Sequence, residues 1–425
     1  MVRPSAVDMV PPLKLPAGLT FAALLAGLLL GWLFAESNIL PPVLAVAGPI
    51  GRLWLSALQM TIIPLVASLM IIGIVKMVDT AKAGAIARRT LTGIIGILAA
   101  GTLVAAFLVP FLLNVFPIPG AADAALQISD VTPQEIPGIG AFLESLIAPN
   151  VVAAAAETAM LPVIVFFACL ALAIARLPRE QHDGLMNLFE ALAAAMLIVI
   201  GWVLRVAPLG VFALAIGVSA RSGGDAIAAL GHYILLVSSM GLLVLIAAYP
   251  VARLLGGQTL TSFARAILPA QAVALSTQSS LASLPAMLAS CRTLGIRETT
   301  SDFVLPLAVA IFRATSPAMN LAVAIYVAKL SGVPLTPATI AAGAAVALIT
   351  TLGSVSLPGA VSFVTSIGPI ALAMGVPVGP LALLVAVEML PDLMRTVANV
   401  TMDVALAGAV DRRSDSALEE VMHEN

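Results

Sequence analysis

The segment Glu388 to Asp403 reads EMLPDLMRTVANVTMD, and its polar residues fall at helical spacing: Glu388, Asp392, Arg395, Thr396, Asn399 and Asp403. At about 100° per residue all six share one face roughly 100° wide. A second charge, Arg313, stands in the apolar run LPLAVAIFRATSPAMNLAVAIYVA (residues 305 to 328). Each charge facing lipid at the bilayer centre would cost about 2.5 to 3.5 kcal/mol, so the stripe must face protein or water. A charge-paired helix contact between Asp392 and Arg395 would account for two of the six positions and not for the rest. The chemistry on offer is ion pairing and binding, not bond cleavage. An intramembrane hydrolase needs a Ser/His pair or two aspartates on facing helices; Asp392 and Asp403 share one helix, and His182, His232 and His423 fall in loop, span-edge and tail positions. No enzyme is expected.

The elements that position this face are membrane spans. The chain has 425 residues, 61% hydrophobic and only 10% charged, against about 25% charged in soluble domains. Apolar segments of spanning length recur from Ala17 to Phe34, Ser56 to Val75 and Gly93 to Phe116 onward. The basic residues Arg3 and Lys14 precede the first of these without an obvious small-residue cleavage site, so it reads as a span and not a cleaved signal. Cys169 and Cys291 lie in or beside apolar runs, which argues against disulfide and zinc sites. Lys and Arg cluster around residues 76–89, 176–179, 253–265, 292–297 and 412–413, while Glu36–Gly48 and Pro117–Pro149 contain none. The positive-inside rule then puts both termini in the cytoplasm, with eight spans fitting the spacing best.

Two apolar segments are left over. AQAVALSTQSSLASLPAMLAS (270 to 290) and ALITTLGSVSLPGAVSFVTSIGPIA (347 to 371) are both interrupted by a serine-rich turn followed by Ser-Leu-Pro. Paired interrupted segments in a transporter point to discontinuous helices near the bilayer midplane. Irregular backbone at that depth needs protein or water around it, which a binding cavity supplies. Charge places the first between cytoplasmic loops and the second between outer ones, so two re-entrant hairpins would enter from opposite faces. The alternative is a pair of proline-kinked ordinary spans. Gly27 and Gly31 form a single GxxxG, a candidate helix contact.

The run D-x-x-R-T-x-x-N-x-x-x-D, at Asp392, Arg395, Thr396, Asn399 and Asp403, resembles the last helix of the dicarboxylate/amino acid:cation symporter family, the glutamate transporters and their archaeal aspartate relatives. TQSSLASLP (277 to 285) and GSVSLPGA (353 to 360) resemble its two hairpin tips. MLPVIVFFA (160 to 168), APLGVFAL (207 to 214) and FVLPL (303 to 307) resemble stretches of its fourth, fifth and seventh helices. The likeness implies an all-α polytopic membrane protein of eight transmembrane helices plus two re-entrant hairpins, with inverted repeats and an elevator mechanism, assembled as a homotrimer in a bacterial-type inner membrane. It divides the chain into scaffold helices 1–2 (15–76) and 4–5 (143–220) and a transport domain of helix 3 (86–117) and residues 226–411, followed by a cytoplasmic tail (412–425). Within 226–411 fall hairpin 1 at about 260–292, helix 7 at about 299–330, hairpin 2 at about 336–373 and helix 8 at about 377–411.

By the same resemblance, Arg395 clamps the substrate's side-chain carboxylate, a task suited to a planar guanidinium. Asp392 takes the amino group, and Asn399, Ser279 and Ser280 hold the α-carboxylate at the positive end of a half-helix. Thr396 and Gly359 complete the substrate site. An acid at Asp392 favours aspartate or glutamate over a dicarboxylate without an amino group. The family's sodium motif in helix 7, Asn-Met-Asp-Gly-Thr, falls by counting on Phe312, Arg313, Ala314, Thr315 and Ser316, where its Asn and Asp acceptors are gone. A fixed cation there would repel sodium by about 4 kcal/mol for unit charges roughly 4 Å apart at an effective dielectric of about 20.

Asp403, a sodium ligand in the relatives, is retained. Arg313 either occupies the ion's place and pairs with Asp403, or replaces the hairpin-1 arginine of archaeal relatives, where this chain has Gln278, and serves Asp392; a third reading has it snorkel to an interface. Asp392, Arg395, Asp403 and Arg313 sum to zero, so an acidic amino acid still needs a cotransported cation: moving its charge inward costs about 2.3 kcal/mol per 100 mV. Protons are the candidate, with Glu388 as carrier unless it sits at a wet helix end; no organic cofactor and no nucleic-acid partner is expected. A second sodium site at Thr351, Leu352 and Ser354 could survive, and uncoupled or sodium-coupled exchange of dicarboxylates, or an anion channel, remain as alternatives.

Overall fold

The computed structural model describes residues 16–35, 37–82, 84–119, 144, 147–157, 159–222, 225–353 and 359–423. Every element among them is helical. Helix α1 (Ala17–Leu33) leads into α2 (Leu40–Gln59) and α3 (Ile62–Ala81), which form one apolar run bent at Met60–Thr61. Pro64 supplies the reason for the bend: it has no N–H for the Met60 carbonyl one turn back. Helix α4 (Ala85–Val115) follows. Then come α5 (Val151–Ala156), capped by Asn150, whose Oδ1 accepts from the Val152 and Ala153 amides, and α6 (Met160–Ile174). Helices α7 (Arg179–Arg205) and α8 (Ala207–Ser222) are separated by Val206 alone, and Pro208 breaks the ladder there as Pro64 does in α3. The interval expected to hold two spans, 143–220, thus contains these four helical segments.

The two bent pairs run side by side, α2 on α8 and α3 on α7. Helix α1 lies against α8 along its glycines: a Cβ on Gly27 would stand 2.7 Å from the Phe212 carbonyl oxygen, and one on Gly31 2.5 Å from that of Ile216. Ser219 Oγ donates to the Leu28 carbonyl at 2.6 Å across the same crossing. The GxxxG is therefore a helix contact, in which missing side chains let two backbones approach.

Helix α9 (Asp225–Pro250) ends in a π turn at Val251–Leu255. Helices α10 (Leu260–Thr277) and α11 (Ser280–Thr293) fold on each other across Gln278 and Ser279, with Gln278 left-handed at φ 51°. Helices α12 (Glu298–Ile311) and α13 (Ser316–Leu330) are one hydrophobic stretch broken at 312–315. Helices α14 (Pro337–Gly353) and α15 (Gly359–Ala373) pack as a second hairpin. Both interrupted segments are thus paired helices and not kinked single spans.

A short α16 (Leu381–Leu384) precedes α17 (Met389–His423). This corrects the last span, expected at 377–411. The chain turns through residues 385–388 and the long helix starts at Met389, with Pro391 tolerated in its first turn, where no N–H is needed. The expected tail from 412 is helical to His423, since residues 409–423 contain neither Gly nor Pro to stop it.

The long apolar helices qualify as membrane-crossing, six of them by length and composition among the described residues, with four shorter apolar helices besides. Helix α13 is buried on all sides from Ser316 to Ala328, and α4, α9, α14 and α15 pack around it. Helix α17 meets α4, α9, α10, α11 and α12. Its far end is tied to the start of α12: Arg297 Nε donates to Asp411 Oδ1 at 2.8 Å and Thr300 Oγ1 to the same oxygen at 2.6 Å.

Candidate functional site

All six residues of the polar face are buried, with Glu388 2% and Asp403 1% exposed. Burial alone does not single them out, because Val400, Met402, Val404 and Ala405 of the same helix are equally enclosed. What distinguishes them is the groups they meet.

Arg395 uses all three nitrogens. Its Nη2 donates to Glu388 Oε1 at 2.8 Å, its Nη1 donates to Asn320 Oδ1 at 3.0 Å, and its Nε stands 3.3 Å from Asp392 Oδ1. Glu388 Oε2 in turn accepts from the Tyr233 hydroxyl at 3.3 Å. Tyr233 packs edge-on against Tyr326 at 5.4 Å between ring centroids, and Tyr326 donates to the Ala229 carbonyl at 2.9 Å. Helices α9 and α13, the turn before α17 and α17 itself thus converge on one guanidinium. A buried ion pair costs desolvation on both partners and persists only when their remaining polar atoms are satisfied. Asn320 and Tyr233 supply that satisfaction. Glu388 is not at a wet helix end.

The second focus is the break in the α12–α13 stretch. Ile311 ends α12 and Phe312 turns extended, at φ −103° and ψ 100°. Pro317, in the first turn of α13, cannot bond the Arg313 carbonyl one turn back, and Ser316 N–H bonds it instead at 2.9 Å. Asn399 of α17 closes the gap from outside: its Oδ1 accepts from Thr315 N at 2.9 Å and from Thr315 Oγ1 at 3.0 Å. It acts as a cap supplied by another helix, taking up donors that the broken helix leaves open. Whatever Asn399 offers a ligand is therefore its amide nitrogen.

Arg313 lies in this break, within electrostatic reach of Asp392, Arg395 and Asp403. Asp403 feels Arg313, but among the described residues neither of its buried carboxylate oxygens has a hydrogen-bond partner. The charge of the guanidinium acts on both Asp403 and Asp392. Its place beside the stripe also removes the snorkelling reading.

Of the remaining predicted residues, Thr396 is on α17 and the other described ones lie on the hairpins. Ser279 caps α11, its Oγ accepting from Ala282 N at 3.2 Å, and Ser280 opens that helix. Hairpin 1 reaches α17 through Gln271, whose Nε2 donates to Thr401 Oγ1 at 3.0 Å. Thr396 Oγ1 donates to the Asp392 carbonyl at 3.0 Å. Thr351 is buried with its hydroxyl on the Ala347 carbonyl at 2.7 Å, Leu352 is half-buried, and Gly359 begins α15. Ser354 lies outside the described residues.

Two members of the network, Asn320 and Tyr233, were not expected. Asn320 had a signal, being a lone amide in the apolar run of α13, and intramembrane polar residues are functional candidates by default. Tyr233 had none.

The profile of the sodium:dicarboxylate symporter family matches residues 18–413. The proton/glutamate-aspartate symporter of Escherichia coli is 28% identical over 369 residues, covering 84% of this chain and 83% of its own length. The proton/sodium-glutamate symport protein of Bacillus subtilis is 28% identical over 399 residues, covering 92% and 90%. The C4-dicarboxylate transport protein 1 of Pseudomonas paraeruginosa is 27% identical over 390 residues, covering 89% and 86%. With a match across nearly its whole length, and a buried charged face where a solute could bind, this membrane chain is a transporter and not an enzyme, and it belongs to the sodium:dicarboxylate symporter family.

Proposed function

We propose that this protein is a secondary active transporter of acidic amino acids, driven by protons and independent of sodium at the helix-7 position. The observation that carries the reading is Arg395, buried and held by Glu388, Asp392 and Asn320. A guanidinium so placed is preorganised to receive a carboxylate through two parallel hydrogen bonds. Asp392 beside it receives the ammonium group, which favours aspartate or glutamate over a simple dicarboxylate. The names of the relatives, glutamate-aspartate and C4-dicarboxylate carriers, support an anionic substrate of this size. Asn399, Ser279, Ser280, Thr396 and Gly359 are proposed to complete the site, with the capped start of α11 presenting backbone donors to the α-carboxylate.

Arg313 stands where relatives recruit sodium, as a tethered cation whose field covers both Asp392 and Asp403. Glu388, Asp392 and Asp403 against Arg313 and Arg395 leave one net negative charge on the face. An anionic substrate adds another, and carrying each inward against the membrane potential costs about 2.3 kcal/mol per 100 mV. Protons are the proposed compensation; a residual sodium site at Thr351, Leu352 and Ser354 is the competing source. In the proposed elevator, α1, α2, α3 and α5 to α8 form the scaffold, and α4 with α9 to α17 carries the solute. The assembly is a homotrimer in a bacterial-type inner membrane with cytoplasmic termini. Uptake of labelled aspartate into proteoliposomes under separately imposed sodium and proton gradients tests this. Accumulation is expected with the proton gradient alone; accumulation that vanishes on sodium removal would overturn it.

A further inference from the structure

We propose that Glu388 couples the proton to the substrate by competition: its carboxylate occupies on Arg395 the position a substrate carboxylate must take, so the anion is accepted only when Glu388 is protonated. This rests on the reading in which Arg395 receives the substrate. The groups facing Glu388 are few. From α17 come Arg395, at 2.8 Å, and Asp392; from α9 comes Tyr233, at 3.3 Å; and on α13 Asn320 shares the same guanidinium.

The two acids beside Arg395 are not equivalent. Asp392 interacts with both Arg395 and Arg313, whereas among the described residues the cation acting on Glu388 is Arg395. When a substrate carboxylate draws Arg395 away, Asp392 keeps a counter-charge and Glu388 loses its own. A lone carboxylate in a buried setting is relieved by taking a proton. Tyr233 suits both states, because a phenol can donate to a carboxylate or accept from a carboxyl group.

The exchange balances. A proton from the outer solution forms an O–H bond on Glu388, the charge-assisted bond from Arg395 Nη2 to Oε1 is given up, and that N–H turns to the substrate. On the inner side substrate and proton leave together and the Arg395–Glu388 bond closes again. The substrate-free carrier thus returns with its arginine neutralised by its own acid.

The test uses detergent-solubilised full-length protein and labelled aspartate. In the wild type, aspartate binding should be accompanied by proton uptake, read with a pH indicator in weak buffer, and affinity should fall by about tenfold per pH unit once Glu388 is ionised in the empty carrier. In Glu388→Gln the proton uptake and the pH slope should vanish. In proteoliposomes that variant should catalyse counterflow but no longer accumulate aspartate under a proton gradient. A wild type that binds aspartate without proton uptake overturns the proposal and leaves the transporter reading intact, as does a Gln variant with an unchanged slope. A wild type that binds no aspartate at any pH defeats the substrate reading and this proposal with it. The wild-type measurement decides even if the variant fails to fold.

Discussion

Two arginines serve the same buried face in different ways. Arg395 is fixed by three named partners from α13, α17 and the turn before it, at 2.8 to 3.3 Å. Arg313, in the break between α12 and α13, exerts its charge on Asp392 and Asp403 while among the described residues the Asp403 oxygens accept no hydrogen bond. In the proposed function the first arrangement is a receptor: direction and distance are set, and a planar group is presented edge-on to whatever replaces its partners. In the same proposal the second is charge compensation, which acts through its field. A diffusible cation can be exchanged for a tethered one only in the second kind of place.

The contrast predicts unequal losses. Arg395→Gln should do the most damage, since it removes the proposed anion receptor and strands Glu388 in the interior. Breaking a buried pair in this way costs about 3 to 5 kcal/mol, so aspartate uptake should fall below detection. Uptake within tenfold of wild type would mean that the carboxylate is bound elsewhere. Arg313→Met should cost less, roughly a tenfold loss, because it removes a charge acting on Asp392 and Asp403 and leaves Arg395 and its partners in place. Adding Asp403→Asn should restore part of that loss, whereas adding Asp392→Asn should not, because in the proposed function Asp392 also receives the substrate's ammonium group. Full activity of the single variant would show that no compensation is needed at Asp403.

Legibility in the sequence follows the same division. The face of α17 was readable because a period near 3.6 and the cost of charge in lipid are both local properties of one segment. The hairpins were readable because Ser-Leu-Pro interrupts two apolar runs in the same manner. What lies between segments was not readable. Tyr233 and Asn320 reach Glu388 and Arg395 from 155 and 75 residues away, and no periodicity encodes such a meeting. The break at 312–315 did carry a sign, Ser316–Pro317, which is a helix-start signature inside a continuous apolar run. It passes unnoticed when hydropathy alone defines the span.

Asn399 offers a way to separate structure from binding beside the Arg313 end. Asn399→Ala removes the acceptor for two Thr315 donors, and loss of a cap costs about 1 kcal/mol; thermal unfolding in detergent should fall and aspartate affinity with it. Asn399→Asp keeps an acceptor for Thr315 and removes the amide donor. At a pH low enough to keep the added carboxyl neutral it should therefore unfold close to the wild-type temperature while losing affinity, and equal unfolding losses in both variants there would show that the oxygen is not a cap.

The smallest effect on uptake should come from Gly31, at the α1–α8 crossing far from both arginines in the sequence. A Cβ there would stand 2.5 Å from the Ile216 carbonyl oxygen, so Gly31→Ala must push two backbones apart. Overpacking of this kind costs about 1 to 3 kcal/mol, and it should appear as a lower unfolding temperature. Uptake per folded molecule should stay within about twofold of wild type, because none of the hydrogen bonds around Arg395 or Thr315 involves either helix. If instead Gly31→Ala abolished the proton dependence of uptake, the coupling could not reside in the face of α17 alone, and the contrast between a receptor arginine and a compensating one would lose its local basis.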